Sequence, residues 1–545
     1  MAISGRNDPL LSTALFRRLR FVLSQLQRWS HTSAGENESA TLRDSGSNLP
    51  PKKGPFDPST WRTMDSRTVG INKSAISSST WTVLKVLQKK GFEAYLVGGC
   101  VRDLLLKRTP KDFDVITTAS LKQIRKQFHH CRVIGRRFPI CQVQVLGSII
   151  EVSSFSTINK SNKERQQVVL SEISDNCDEK DILRWKNCME RDFTINGLFF
   201  DPFDSTIYDY VNGIRDIKAS KTKVIVNMPF DQGLIIKSIT ARILRGLRIV
   251  ARLGFRFSKE TATAIRDLSS SVITLEKSRL LMELNFMLAY GAAESSIYLL
   301  QKYQLLQVLL PFHGAYLAHQ TEDKSTERTN MLMKLFSNVD KLFAADRPCD
   351  CTLWLGLLAF HLTLVNHPQD APVVWAFASI MYYGRWTRAI EFVRQNVQCA
   401  VQFVPEILLP AETKSDELLL EETSHFASLV KSSVDAFTCI DALQKSLARY
   451  PESSPCLGLV IVSEKMGKSV SKLFDGLETD ITSYGKKRET YDINYALLKK
   501  GDPDETRFAM GKIIMDTMND GLSNRETSSG ISTHRGHVPL SSLFK

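Results

Sequence analysis

An α+β head followed by an all-helical remainder is the fold class this sequence predicts, on three observations. Between residues 93 and 155, short runs rich in Val, Ile, Tyr and Phe are first separated by helix-like segments and then follow one another directly. That order suits a small mixed sheet better than a doubly wound one. From about residue 234 onward, apolar residues recur at three- and four-residue spacing almost without relief, the period of packed helices. The 545 residues, 43% hydrophobic and 24% charged, suffice for two to four domains with sizeable cores.

Residues 1–35 carry Arg6, Arg17, Arg18, Arg20 and Arg28 against Asp8 alone, and Leu11, Leu15, Leu19, Val22 and Leu26 recur at helical spacing. An arginine-rich, acid-poor amphipathic start is the composition of an organellar transit peptide, mitochondrial by preference and chloroplast as the other destination. Its apolar runs are too short to span a bilayer. Residues 36–70, rich in Ser, Asn, Gly and Pro, read as a disordered linker.

The head is expected over 71–225. It begins with a helix at 75–90, capped by Ser74 and ended at Gly91, then a strand near 93–97 and a helix near 100–107. A strand at 112–117, a basic helix at 120–128 and strands near 131–135, 140–146 and 149–155 follow. Residues 159–187 are polar enough to read as a loop, before a strand near 193–200 and a hairpin-like stretch at 206–213. A helical neck over 226–310, a helical body and tail over 311–521 and a Ser/Gly-rich disordered end over 522–545 complete the chain. In the helical part Trp354, Trp375 and Trp386 are expected to be packed rather than to stack on bases.

The formal net charge of +13 favours a polyanionic partner: RNA, DNA or an acidic membrane surface. Ten cysteines without a C-x₂-C pair argue for reduced thiols, and Cys349, Cys351, His361 and His367 are poorly spaced for zinc.

Two clusters carry chemistry. In Tyr95-Leu-Val-Gly98-Gly99-Cys-Val-Arg102-Asp103, a glycine pair separates a strand from a helix, where backbone can approach a phosphate and helix amides are left over. Asp112-x-Asp114 follows, and on a strand both carboxylates project from one face, two hard oxygen ligands for a divalent cation. Glu151, on Ile-Ile-Glu-Val-Ser-Ser, is the candidate third carboxylate. The second cluster, Arg191-Asp192-Phe-Thr-Ile-Asn196, offers Arg191 for phosphate charge, Asp192 for orienting it or a ribose, and Asn196 for sugar or phosphate. Each cluster alone also fits a capped turn with surface ion pairs.

In order along the chain, these motifs resemble the class II nucleotidyltransferase superfamily of bacterial-type poly(A) polymerases and tRNA CCA-adding enzymes. Asp209-Tyr-Val-Asn-Gly213 and Arg242-Ile-Leu-Arg245-Gly-Leu-Arg248 extend the resemblance to about residue 257. It implies a polymerase-β-like head, then helical neck, body and tail, and Mg²⁺-dependent, template-independent addition of nucleotides to RNA 3′ ends. By the same resemblance Asp112 and Asp114 hold metal, with Glu151 as the third catalytic acid. Gly98, Gly99, Arg102, Asp103, Arg191, Asp192, Asn196, Arg242 and Arg245 would bind nucleotide. Arg136, Arg137, Arg248 and Arg252 would meet RNA. The segment Cys131-Arg-Val-Ile-Gly-Arg136-Arg137-Phe138 resembles the poly(A) polymerase branch, which uses ATP on mRNA, rRNA fragments or tRNA. The CCA-adding branch, which would use CTP and ATP on tRNA, is the alternative.

The chain departs from the family at the neck. A Glu-Asp-x-x-Arg motif normally opens the neck helix, its acid and arginine reading the incoming base; here the register is Ser238-Ile239-Thr240-Ala241-Arg242. Arginine only donates hydrogen bonds, so loss of the acid at Ile239 leaves an exocyclic amine without its acceptor. A catalytically impaired RNA-binding paralogue is the reading from another class that this departure motivates. Ser156 also stands where many relatives have arginine.

Overall fold

A computed structural model describes residues 58–521, apart from 136–138, 158–177, 223–231, 323–329, 397–400, 409–413, 452–459 and the single positions 402, 480, 483, 486, 487 and 489. The expected transit peptide, most of the linker, the C-terminal end, and Arg136 and Arg137 therefore lie outside the described residues. The chain divides into two compact units, Met1–Ile236 with Phe255–Asp267, and Lys237–Gly254 with Leu268–Lys545.

In the first unit eight strands form one sheet: β1 (Arg62–Asp65), β2 (Ala94–Val97), β3 (Asp114–Thr117), β4 (Cys131–Ile134), β5 (Ile140–Val145), β6 (Ser148–Ser154), β7 (Leu198–Asp201) and β8 (Thr206–Asp209). Their order is β1-β8-β7-β2-β3-β6-β5-β4, and only the β3–β6 pair is parallel. Helices α1 (Ser78–Lys89) and α3 (Leu121–Gln127) pack on one side of β5. Ser120 opens α3 with a reciprocal capping box to Gln123. Helix α2 (Gly99–Leu105) follows β2, and helix α5 (Gly213–Lys218) follows β8.

The opposite side is built on Tyr95, Val97, Ile116, Phe155 and Phe199, onto which α4 (Glu179–Met189) lays Trp185 and Cys188. Burying a side chain such as Trp185 stabilises by roughly 2–3 kcal/mol. Helix α4 corrects the expected loop at 159–187 over its described end. Asp178 caps it by accepting from the Lys180 N–H, and Leu183, Trp185 and Cys188 give it an apolar side that the abundance of polar residues obscured. Arg184 is buried beneath the aromatic cluster, bonded to Tyr95 and Tyr210 and ion-paired to Asp181 at 2.7 Å.

Three other boundaries differ from expectation. The linker ends earlier than residue 70, because β1 pairs along its whole length with β8 and Trp61 packs edge-on to Tyr210 at 5.1 Å. The first helix starts at Ser78 with Ser77 as its cap, preceded by a separate 3₁₀ turn at Lys73–Ala75. Residues Thr194–Asn196 form a 3₁₀ turn, and the strand begins only at Leu198.

Helix α6 (Gln232–Leu253) begins the helical pattern as expected, but Phe255–Asp267 belongs with the first unit: Arg256–Phe257 pairs in parallel with Lys221–Thr222. In the second unit Trp354 and Trp375 are fully buried, Trp354 donating to Asn285 Oδ1 at 3.0 Å. The helices Ala371–Tyr383 and Pro503–Asp520 approach so closely that a Cβ on Gly511 would lie 2.6 Å from the Ala378 carbonyl oxygen. Among the described residues no helix is long and apolar enough to cross a membrane.

Candidate active site

The chemistry-bearing residues of the first unit gather where β2 ends and β3 begins. Val97 and Asp114 are register partners, so the glycine turn after β2 emerges beside the first residue of β3. Gly98 has φ +77° and ψ −135°, a conformation open in practice to glycine alone. Space excludes a side chain as well: a Cβ there would lie 2.9 Å from Arg191 Nη1 and 3.5 Å from Asp114 Oδ2. These two values place the Arg191 guanidinium and the Asp114 carboxylate around one glycine, although 77 residues separate them in sequence.

Arg102, Asp103, Asp192 and Asn196, also expected to bind nucleotide, form a hydrogen-bonded chain. Arg102 donates to Asp103 Oδ1 from Nη2 at 2.7 Å and to Asn196 Oδ1 from Nη1 at 2.8 Å. Asn196 Nδ2 donates to Asp192 Oδ1 at 3.1 Å, and that oxygen also accepts from the Phe193 N–H. Asp192 and Asn196 are buried, whereas Arg102 and Asp103 are partly open. Arg191 is steadied by Asn187, whose Oδ1 accepts from its Nε at 3.3 Å. Asn187 was missed from the sequence because α4 was; four residues before Arg191, it would have been legible on a recognised helix.

One amide of the turn is already taken, while no side chain caps α2. The Gly98 N–H is bonded to the Leu198 carbonyl at 3.4 Å, and α2 is only seven residues long. What the glycine supplies is close approach and room for Arg191. Cys100, buried behind the turn with its thiol 3.2 Å from the Val97 carbonyl, is pushed up to about 12 by burial and then by the Asp114 carboxylate. It is a protonated core thiol, not a nucleophile.

The carboxylates also differ in part from their expected arrangement. Asp114 opens β3, but Asp112 lies in the bend before it and is exposed, so strand alternation does not set its direction. Glu151 sits opposite Asp114 in the parallel β3–β6 register. One of its oxygens accepts from Gln142 Nε2 at 3.4 Å, on the β5 side of the strand. Among the described residues no group of three His, Cys, Asp or Glu side chains is gathered to hold a metal ion. The donor set still suits Mg²⁺ by its chemistry, since the carboxylates of exposed Asp112 and half-buried Asp114 would be hard oxygen ligands.

Asp209, from the Asp-Tyr-Val-Asn-Gly motif, is structural. Its oxygens accept from the N–H groups of Val211, Gly213 and Ile214 and so start α5, while burial raises its pKa against those bonds.

Of the residues expected on the neck, Arg242, Arg245, Arg248 and Arg252 all lie on α6 in the second unit. Arg248 is half-buried, paired with the buried Glu283 at 3.1 Å and stacked over Phe286 at 4.9 Å; burial holds its pKa down. Arg252 reaches the Phe286 carbonyl at 3.5 Å and lies over Tyr290. These two face helix α7 (Lys277–Leu288) and its end rather than standing out as a basic stripe. Arg245 is exposed. The side chain of Ile239 lies outside the described residues, though its backbone falls within α6.

Parts of this chain are similar to known proteins. Residues 94–223 match the poly A polymerase head domain, and residues 254–317 match the probable RNA and SrmB-binding site of polymerase A. Poly(A) polymerase I of Haemophilus influenzae is 34% identical over 282 residues, 50% of this chain and 60% of that protein. A CCA-adding enzyme of Staphylococcus epidermidis is 26% identical over 288 residues, 53% of this chain and 62% of that protein. The chain thus spans less than two thirds of the curated relatives it matches. A solved structure of the Thermotoga maritima CCA-adding enzyme complexed with tRNA_CCA aligns at 14% identity and a TM-score of 0.39, over 88% of this chain and 92% of that one.

Proposed function

We propose that this chain, in which residues 94–223 and 254–317 are the head and RNA-binding segments of the class II nucleotidyltransferase superfamily, adds AMP from ATP to RNA 3′ ends without a template. The observation that carries the reading is the meeting of Asp114, Gly98 and Arg191 around one backbone turn, inside the segment that matches the polymerase head. In the reaction the RNA 3′-hydroxyl attacks the α-phosphate in line and pyrophosphate leaves. Asp112 and Asp114 would hold Mg²⁺, with Glu151 the neighbouring acid. Bound there, Mg²⁺ supplies Lewis-acid stabilisation of phosphoryl oxygens.

The protein's own groups do the rest. Arg191, held by Asn187, faces the triphosphate charge across Gly98. The Asp103–Arg102–Asn196–Asp192 chain holds the walls of the site together, so its groups need little reordering when nucleotide enters.

The poly(A) polymerase reading is supported by 34% identity over 282 residues to that branch, where a CCA-adding relative reaches 33% over 202 residues. Purified protein given ATP, CTP or both, with a tRNA lacking CCA and with an unstructured RNA, tests it. Long tails from ATP alone are the expected result. A three-nucleotide stop on tRNA that needs CTP would make it a CCA-adding enzyme. No extension with RNA binding retained would make it the impaired paralogue suggested by Ile239. Restoring the acid with Ile239→Asp should sharpen base selectivity; unchanged selectivity would remove the protein-template argument. Residues 1–35 would direct the chain to an organelle, and a reporter fused to residues 1–60 that stayed in the cytosol would overturn that.

A further inference from the structure

The 3₁₀ turn that carries Asn196 is held from two sides. From α4, the Cys188 thiol donates to the Gly197 carbonyl at 2.8 Å. From α5, Gly213 packs so closely that a Cβ there would run into the Thr194 carbonyl oxygen and lie 3.1 Å from Leu198 Cδ2. The same helix supplies Asp216, whose Oδ2 accepts from Thr194 Oγ1 at 2.7 Å although 22 residues separate the two in sequence. Thr194, Asn196 and Asp216 are all buried, and Phe193 and Ile195 fill the core between them. Two residues beyond Thr194, the Asn196 amide accepts from Arg102 on α2 and donates to Asp192.

We propose that Thr194 and Asp216 are positioning residues of the nucleotide site: their buried hydrogen bond fixes the turn, and through it the place at which Asn196 meets Arg102 and Asp192. This rests on the nucleotide-binding reading of those three residues and needs no cation. Two physical arguments support the assignment. The turn has only two main-chain bonds of its own, from the Asn196 N–H to the Phe193 carbonyl and from the Gly197 N–H to the Thr194 carbonyl. A single 3₁₀ turn bonded in this way holds its geometry poorly without outside contacts. A hydroxyl donating to a carboxylate is also one of the stronger hydrogen bonds, and with both groups shielded from water neither gains a solvent partner when the other is removed. Loosening it therefore shifts the turn rather than exchanging one bond for another.

The test is equilibrium binding of ATP to the full-length protein, beside steady-state extension kinetics and urea denaturation. Thr194→Val keeps the shape of the side chain and removes the hydroxyl. It should raise Kd and KM for ATP about 10-fold, against the roughly 100-fold that a misplacement of about 1 Å can cost, and leave kcat nearly unchanged. Thr194→Ser, which keeps the hydroxyl, should recover most of the affinity. Thr517→Val, which removes a buried hydroxyl bond in the second unit, should lower the urea midpoint without moving KM. If Thr194→Val binds ATP as tightly as wild type, or Thr517→Val weakens ATP equally, the Thr194–Asp216 bond serves stability alone and the inference falls while the proposed function stands. If the valine variant does not fold, Thr194→Ala takes its place under the same criteria. If wild type neither binds nor uses ATP, the nucleotide reading itself falls, and this inference with it.

Discussion

In the first unit Asp112 stands exposed in the bend before β3, Glu151 stands exposed midway along β6, and Asp114 opens β3 beside a glycine turn. In the second, Glu283, Asp340 and Glu406 are drawn into the packing between segments. Glu283 takes Arg248 and Arg279. Asp340 takes the N–H groups of Ala293 and Glu294, and Glu406 takes Tyr316 and His361. The residue types are the same, but an acid at a solvent-facing rim can take a cation from outside, whereas one shielded from solvent is stable only if its neighbours satisfy it. The arginines divide in the same way: Arg191 reaches an open turn, while Arg248, from an equally suggestive motif, is absorbed by Glu283 and Phe286.

The contrast breaks if rim acids prove structural or shielded acids prove dispensable. Asp112→Ala with Asp114→Ala should lower extension at least about 10³-fold, roughly 4 kcal/mol of barrier. The urea midpoint should move little. A large loss of stability with activity preserved would invert the assignment. Glu283→Ala should do the opposite. It leaves Arg248 partly buried without its carboxylate and should cost about 3 kcal/mol of stability in urea denaturation. ATP affinity of the folded fraction should be retained.

Gly98→Ala sharpens the comparison because it touches both kinds of role. Forcing a side chain into φ +77° against Arg191 should cost about 2 kcal/mol and raise KM for ATP, read by denaturation and kinetics together. A tolerant site would mean that Arg191 does not need that position.

The smallest effect is expected at Asp340. Loss of solvation pushes its carboxyl up to about 7, against the pull of the two backbone N–H groups. Between about pH 4 and pH 7 the folded protein therefore holds a proton that the unfolded chain has released, and stability falls as pH rises through that window. Asp340→Asn should cost about 1 kcal/mol at pH 5, where one N–H loses its acceptor, and should flatten the slope. An unchanged slope would show that other groups set it.

The ordered motifs were legible because their spacing follows from backbone geometry: a glycine that must take positive φ, acids at the start of a strand, arginines on one helix. The basic helix expected at 120–128 is likewise present as α3, which a Ser120–Gln123 capping box opens. Less local features were hidden. Trp61 and β1 sit in a Ser- and Pro-rich stretch, and only pairing with β8 makes a strand of them. Helix α4 is mostly polar, and Arg184 is buried only because Tyr95, Tyr210 and Asp181 meet it there.

Residue types and their order thus determined by themselves the α+β head, the helical remainder, the resemblance to a nucleotidyltransferase superfamily and the set of groups available for chemistry. Tertiary structure decided which of them do what. Strand register put Asp114 beside Glu151 and Glu151 beside Gln142, and the turn at Gly98 brought Arg191 to Asp114. The physical reason is that composition sets what a side chain can donate, accept or bind. Whether it faces water or a partner depends on residues distant in sequence, and desolvation then determines whether it serves as a ligand or a fastener.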